Sequence, residues 1–105
     1  MVFESEKGVV RPLVFAAMRD KDASGMLHAL LPNVSRVIMT RASNARSADP
    51  RDLAVLAREV SPDIRVVATD SVSEALSAAW HVAPQIVIAG SIFLLGDVLS
   101  EMKRL

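Results

Sequence analysis

Cysteine is absent from this 105-residue chain, which removes disulfides, thiolate metal sites and thiol nucleophiles from consideration. Net charge is absent too, since twelve basic side chains are matched by twelve acidic ones. With no arginine-rich or aromatic-interleaved stripe, the chain offers no electrostatic footprint for a nucleic-acid backbone or an anionic membrane. Long apolar runs are also missing. The longest, Ile86 to Leu95, is interrupted by Gly90 and Ser91 and falls short of the roughly 18 residues that a membrane span requires. Only four glycines are present, and they form neither Gly-x-Gly-x-x-Gly nor a loop ending in Gly-Lys-Ser/Thr, so the standard dinucleotide and triphosphate grips are excluded. No Gly-x-Ser-x-Gly elbow surrounds a serine. A phosphoacceptor receiver domain would need clustered acids after the first strand, an aspartate at the end of the third and a lysine after the last; Asp70 alone fits that pattern, and the lysine is lacking. Two distant histidines, His28 and His81, make no zinc site and read as structural.

What is there is a 51% hydrophobic composition, enough for one globular domain with its own core. The N-terminus, Met1-Val2-Phe3-Glu4-Ser5-Glu6, is acidic where a signal peptide would be basic, and the expected address is cytoplasmic. Short β-branched runs then alternate with helical periods. Leu13 to Ala17 is apolar throughout, as in a strand covered on both faces. Asp22 opens a helix with Ala23, Met26, Leu27, Leu30 and Leu31 on one stripe, and Pro32 stops it. Arg36 to Thr40 is the second strand. A polar loop leads to Asp49-Pro50, an N-cap with proline at the first helical position, and Leu53, Leu56, Ala57 and Val60 follow at helical spacing. The third strand, Ile64 to Ala68, runs into Ser71-Val72-Ser73-Glu74, which has capping-box spacing. Val72, Ala75, Leu76 and Ala79 mark the next buried stripe, with Trp80 packing beside it. The fourth strand, Gln85 to Ala89, leads through Gly90-Ser91 to a helix whose predicted buried stripe is Ile92, Leu95, Leu99 and Met102.

Four βα units joined in this way predict an α/β fold: a Rossmann-like open, mainly parallel sheet with helices on both faces. Four strands make a small sheet of this type, and Met1 to Gly8 is too short and too polar to add a fifth strand with its helix. An uncovered sheet edge is therefore expected, to be met by another domain, another chain or a rearranged N-terminal segment.

Ligands of such sheets collect at the carboxyl ends of the strands. Arg19, Asp20, Lys21 and Asp22 belong to the first loop on that rim, Thr40 with Arg41 and Arg46 to the second, Asp70 and Ser71 to the third, Gly90 and Ser91 to the fourth. Cations and helix-initiating serines on one rim suit a small anion, a carboxylate or phosphate. The same rim carries enough aspartate to pair those cations or cap helices instead, and Gly90-Ser91 also reads as a plain strand-to-helix turn.

Three stretches on the rim carry a family resemblance. Val14-Phe15-Ala16-Ala17-Met18-Arg19-Asp20-Lys21-Asp22, with its Asp-Lys-Asp step, resembles the strand-loop-helix of the C-terminal domain of dihydrofolate synthase/folylpolyglutamate synthase, a branch of the Mur ligase superfamily. Gly90-Ser91-Ile92-Phe93-Leu94-Leu95-Gly96-Asp97-Val98 resembles that family's Gly-Ser-Leu-Tyr/Phe-Leu-Val-Gly-Glu-Val signature. Thr40, then Ala45-Arg46-Ser47, then Asp49-Pro50-Arg51-Asp52-Leu53 is similar to the family's segment between them. Order and spacing agree from about Leu13 to Arg104.

The resemblance implies that residues 1–105 are a Mur-ligase-type C-terminal domain, N-terminally truncated relative to the family's, with residues 1–8 a remnant of a preceding helix or linker. It implies a part in ATP-dependent ligation of glutamate to dihydropteroate or folate, in which a carboxylate is phosphorylated and the glutamate amine displaces phosphate. This domain would supply the amino-acid side of the site and close the other domain against water. Lys21, Arg46 and Ser91 would bind glutamate or a neighbouring anion, with Asp20, Asp22, Thr40 and Gly90 in support. No catalytic residue and no metal ligand falls within the chain. ATP and Mg2+ are implied for the full enzyme and expected not to bind this chain alone; its partners would be the ATPase domain, glutamate and folate. The family's opening Asp-Gly-Ala-His-Asn strand has no counterpart in Met1 to Arg11. A non-catalytic α/β interaction or anion-binding module derived from the same fold is the competing expectation.

Overall fold

The computed structural model describes residues 11–103; the segment 1–8, read above as a remnant helix or linker, lies outside them. The elements are β1 (Arg11–Ala16), α1 (Ala23–Leu30), a 3-10 turn at Leu31–Asn33, β2 (Val34–Met39), α2 (Pro50–Val60), β3 (Arg65–Ala68), α3 (Val72–Val82), β4 (Val87–Gly90) and α4 (Ile92–Lys103). All three strand pairings are parallel and the order is β3-β2-β1-β4. The predicted α/β architecture is therefore present, with strand boundaries displaced by one or two residues. The register of β1 against β2 slips between Arg11 and Pro12, where proline has no N–H to give the ladder.

The strand period of two sorts the core into two layers. Leu13 and Phe15 of β1, with Ala17 just after it, join Leu27 and Leu30 of α1 and Leu53 and Ala57 of α2 on one face. Val14 and Ala16 join Val72, Ala75, Leu76 and Ala79 of α3 and Leu94 and Val98 of α4 on the other. Each helix begins on the cap that its sequence announces. Asp22 accepts from the Gly25 N–H at 3.0 Å, Asp49 from Arg51 N–H at 2.9 Å, Ser71 from Glu74 N–H at 3.1 Å, and Ser91 from Phe93 N–H at 3.1 Å. Such a bond satisfies one orphan donor of the first turn and contributes about 1 kcal/mol.

Two expectations need correction. The stripe Ile92, Leu95, Leu99 and Met102 is not buried; these side chains are 79%, 49%, 53% and 47% exposed, while Leu94 and Val98 enter the core. The reason is lateral: Asp97 accepts bonds from the Ser43 N–H, at 2.6 Å, and the Ser43 hydroxyl, which turns the opposite side of α4 away from the sheet. Trp80 packs only in part, at 37% exposure, and Val67 of β3 is 51% exposed. As the terminal strand at its end of the sheet, β3 extends past the cover that α3 gives to β1 and β2.

Candidate functional site

β1 is flanked by β2 on one side and β4 on the other, so the chain reverses its direction of sheet growth at the β1/β4 pair. That switch splays the loops leaving the two strands and opens a crevice at their carboxyl ends. Here the β1–α1 loop carrying Lys21 faces the Gly90-Ser91 turn. A cavity of about 250 Å³ lies between them, lined by Ala17, Met18, Lys21, Met26 and residues Gly90 to Phe93.

Gly90 is required by the backbone. Its φ is +110°, and a Cβ there would meet the Ala16 carbonyl oxygen at 2.1 Å. The same oxygen accepts from the Ser91 N–H at 2.9 Å, so the turn is clamped on the end of β1. The Ser91 hydroxyl oxygen, facing α4, accepts from the Phe93 N–H and keeps one O–H to donate to a guest.

The rim cations sort into engaged and free. Arg46 pairs with Asp20; its backbone carbonyl accepts from the Arg19 N–H at 2.8 Å, and the Ala48 N–H bonds Ala17 at 2.8 Å, so the long loop lies against the end of β1. Arg51 reaches Asp70 through two nitrogens at 3.0 and 3.1 Å, and Arg41 stands 3.5 Å from Asp70 and 3.9 Å from Asp49. The hydrogen bond and charge of Arg51 hold the Asp70 carboxyl below the usual carboxylate range, and Arg41 adds to the effect. Among the described residues, Arg19 and Lys21 make no ion pair.

Of the three predicted binding residues, Lys21 and Ser91 thus line one cavity and Arg46 does not line it. Lys21 also borders a second, wider hollow of about 610 Å³ beside Arg19, Asp22, Arg41 and Asp49. Among the supporting residues, Gly90 shapes the turn, Asp20 is taken up by Arg46 and Asp22 caps α1. Thr40 is fully buried, its N–H bonded to Phe15 at 2.9 Å and its hydroxyl without a partner among the described residues; it borders neither hollow. The apolar walls Met18, Met26 and Phe93 carry no signal in the sequence, because apolar side chains on a loop and two helices become a wall only when the strand order places them together. Arg51 was visible in the first turn of α2, but its pairing with Asp70 spans two loops that only the sheet brings side by side. Among the described residues no three His, Asp or Glu side chains converge.

No family model and no curated protein matches this chain. Two solved structures do: Mycobacterium tuberculosis folylpolyglutamate synthase complexed with ADP, and the same enzyme complexed with ADP and AMPPCP. Each superposes with a TM-score of 0.73 at 23% identity, over 89% of this chain and 23% of that chain. The chain thus spans about a quarter of the length of these neighbours. At that identity the likeness is one of fold, and it is a likeness to the enzyme whose family the Asp-Lys-Asp and Gly-Ser segments resemble.

Proposed function

We propose that residues 1–105 form a Mur-ligase-type C-terminal domain that supplies the amino-acid side of an ATP-dependent ligase adding glutamate to dihydropteroate or folate. The observation that supports this most directly is the free ammonium of Lys21 across a small cavity from the Gly90-Ser91 turn. A dicarboxylic amino acid needs a cation for a carboxylate and a hydroxyl donor to orient it, and the cavity offers one of each. Its apolar walls lower the local dielectric, which strengthens the Lys21 attraction relative to open water. Arg46 serves at most a neighbouring anion, since Asp20 already neutralises it.

The phosphorylating half of the reaction, with ATP and Mg2+, is assigned to a partner polypeptide or domain, as the family resemblance implies. Closure of that partner over the Lys21–Ser91 cavity would exclude water from an acyl phosphate. A competing reading, an anion-binding or interaction module without chemistry, draws support from the engagement of Ser91 as a helix cap and of Arg46 as an ion pair.

Titration of L-glutamate into the isotopically labelled chain separates the two. Under the ligase reading, the amides of Lys21 and Ser91 shift together, and Lys21→Ala abolishes the response without lowering the melting temperature. Glutamate that shifts neither position, alone or with an ATP-hydrolysing partner present, would leave the non-catalytic reading standing.

A further inference from the structure

α4 turns two sides of its surface to different uses. Leu94 and Val98 enter the core, and Asp97, beside them, is fastened to Ser43. A second side is bare. Ile92, Leu95, Leu99 and Met102 are exposed and recur at intervals of three, four and three residues, the seam spacing at which two α-helices interlock their side chains. No acid falls on that seam: besides Asp97, α4 carries only Glu101, half-buried three positions after Val98. Its single cation, Lys103, ends the helix.

Gly96 lies at the margin of the seam. A Cβ placed on it would meet no atom within 4 Å, and glycine is a poor helix former in an exposed helix interior, so no contact among the described residues calls for it. What it leaves is a notch one turn from Ile92 and three residues from the Leu99 ridge. Ridge and notch are self-complementary. Gly96 and Leu99 stand equally far from the midpoint of α4, so an antiparallel pairing about that midpoint seats Leu99 of each copy over Gly96 of the other. It also sets Leu95 between Leu99 and Met102 of the other copy and lays the Lys103 stem along Ile92, its ammonium in water.

We propose that this face is covered by a second copy of the chain, α4 packing antiparallel on α4 in a reversible two-fold dimer. The inference does not rest on the functional reading above. The area agrees with it: five exposed apolar side chains on α4, Phe93 included, present on the order of 500 Å², so two copies together cover about 1,000 Å². Specific interfaces begin near about that area, and standard ones reach about 1,600 Å². The dimer is therefore a weak one. An unlike apolar helix would also find the seam, yet only a copy offers the same ridge and notch in inverted order, which is what a two-fold interface requires. The seam also brings no like charges together, so identical copies meet there without repulsion.

Sedimentation equilibrium of the full chain, between about 5 and about 500 µM, is expected to show a monomer–dimer equilibrium with a Kd on the order of 100 µM. Leu99→Glu sets a charge against apolar side chains, and Gly96→Gln fills the notch with a better helix former. Each should weaken the dimer about ten-fold or more, with no fall in melting temperature at a concentration where the parent chain is monomeric. Because the chain has no cysteine, a nitroxide on Lys103→Cys marks a single site. Mixed with an isotopically labelled, unmodified copy, it should broaden the amides of Ile92 and Phe93 in that copy. A monomer at every concentration, a dimer that survives Leu99→Glu, broadening at residues 100–103 in place of Ile92, or a monomer in which residues 1–10 contact Leu95 and Leu99 would overturn the proposal.

Discussion

Gly90 shows how a single residue fixes the site. With φ at +110° and the Ala16 carbonyl 2.1 Å from where a Cβ would stand, an alanine would have to move either the turn or the end of β1. Gly90→Ala should cost about 2–3 kcal/mol in urea unfolding, from strain at a left-handed position plus displacement of a buried strand end. Asp70 illustrates a polar residue whose effect is electrostatic. Its carboxyl is held low by Arg51, so the unfolded chain takes up that proton more readily than the folded one. The stabilisation is complete above the ordinary carboxylate range, near about pH 4, and is lost as pH falls through the lower folded value. Both partners are exposed and the effect is small. Asp70→Asn is expected to lower the melting temperature slightly at pH 7 and to leave it equal to that of the parent at strongly acid pH.

At the scale of elements, α4 separates packing from pattern. It is apolar on most of its circumference, so Leu94 with Val98 and Ile92 with Leu95, Leu99 and Met102 both satisfy helical spacing. Periodicity alone cannot choose between them. The Asp97–Ser43 contact and the Leu94 side chain decide the rotation. Leu94→Ala should therefore cost about 3 kcal/mol through transfer and cavity terms. Leu99→Ala, on the exposed stripe, should change unfolding free energy by less than about 1 kcal/mol. Equal losses would mean that the helix is rotated in solution. The capping residues behave oppositely: Asp22, Asp49 and Ser71 were legible as caps because a cap is a local bond between a side chain and a backbone N–H two or three residues on.

For the whole molecule, the strand order β3-β2-β1-β4 sets the crevice at Lys21 and Ser91. Under the proposed function the purified chain should neither hydrolyse ATP nor form folyl-glutamates. Mixed with a polypeptide that carries the phosphorylating half, it should confer glutamate-dependent phosphate release, readable in a coupled phosphate assay. Turnover by the chain alone would contradict the assignment of ATP to a partner.

What the residues settled unaided were the features written in short range. Strand and helix alternation, the caps Asp22, Asp49 and Ser71, the proline stop after α1 and the glycine turn before α4 each depend on neighbours within a few positions. Local bonding and side-chain period act there without knowledge of the fold. The tertiary structure decided which loops adjoin, which rim cations are neutralised and which face of α4 is covered. Those outcomes depend on pairings between segments tens of residues apart, Arg46 with Asp20, Arg51 with Asp70, Ser43 with Asp97. Charge complement and apolar spacing allow several such pairings, and only the hydrogen-bonded order of the sheet selects among them.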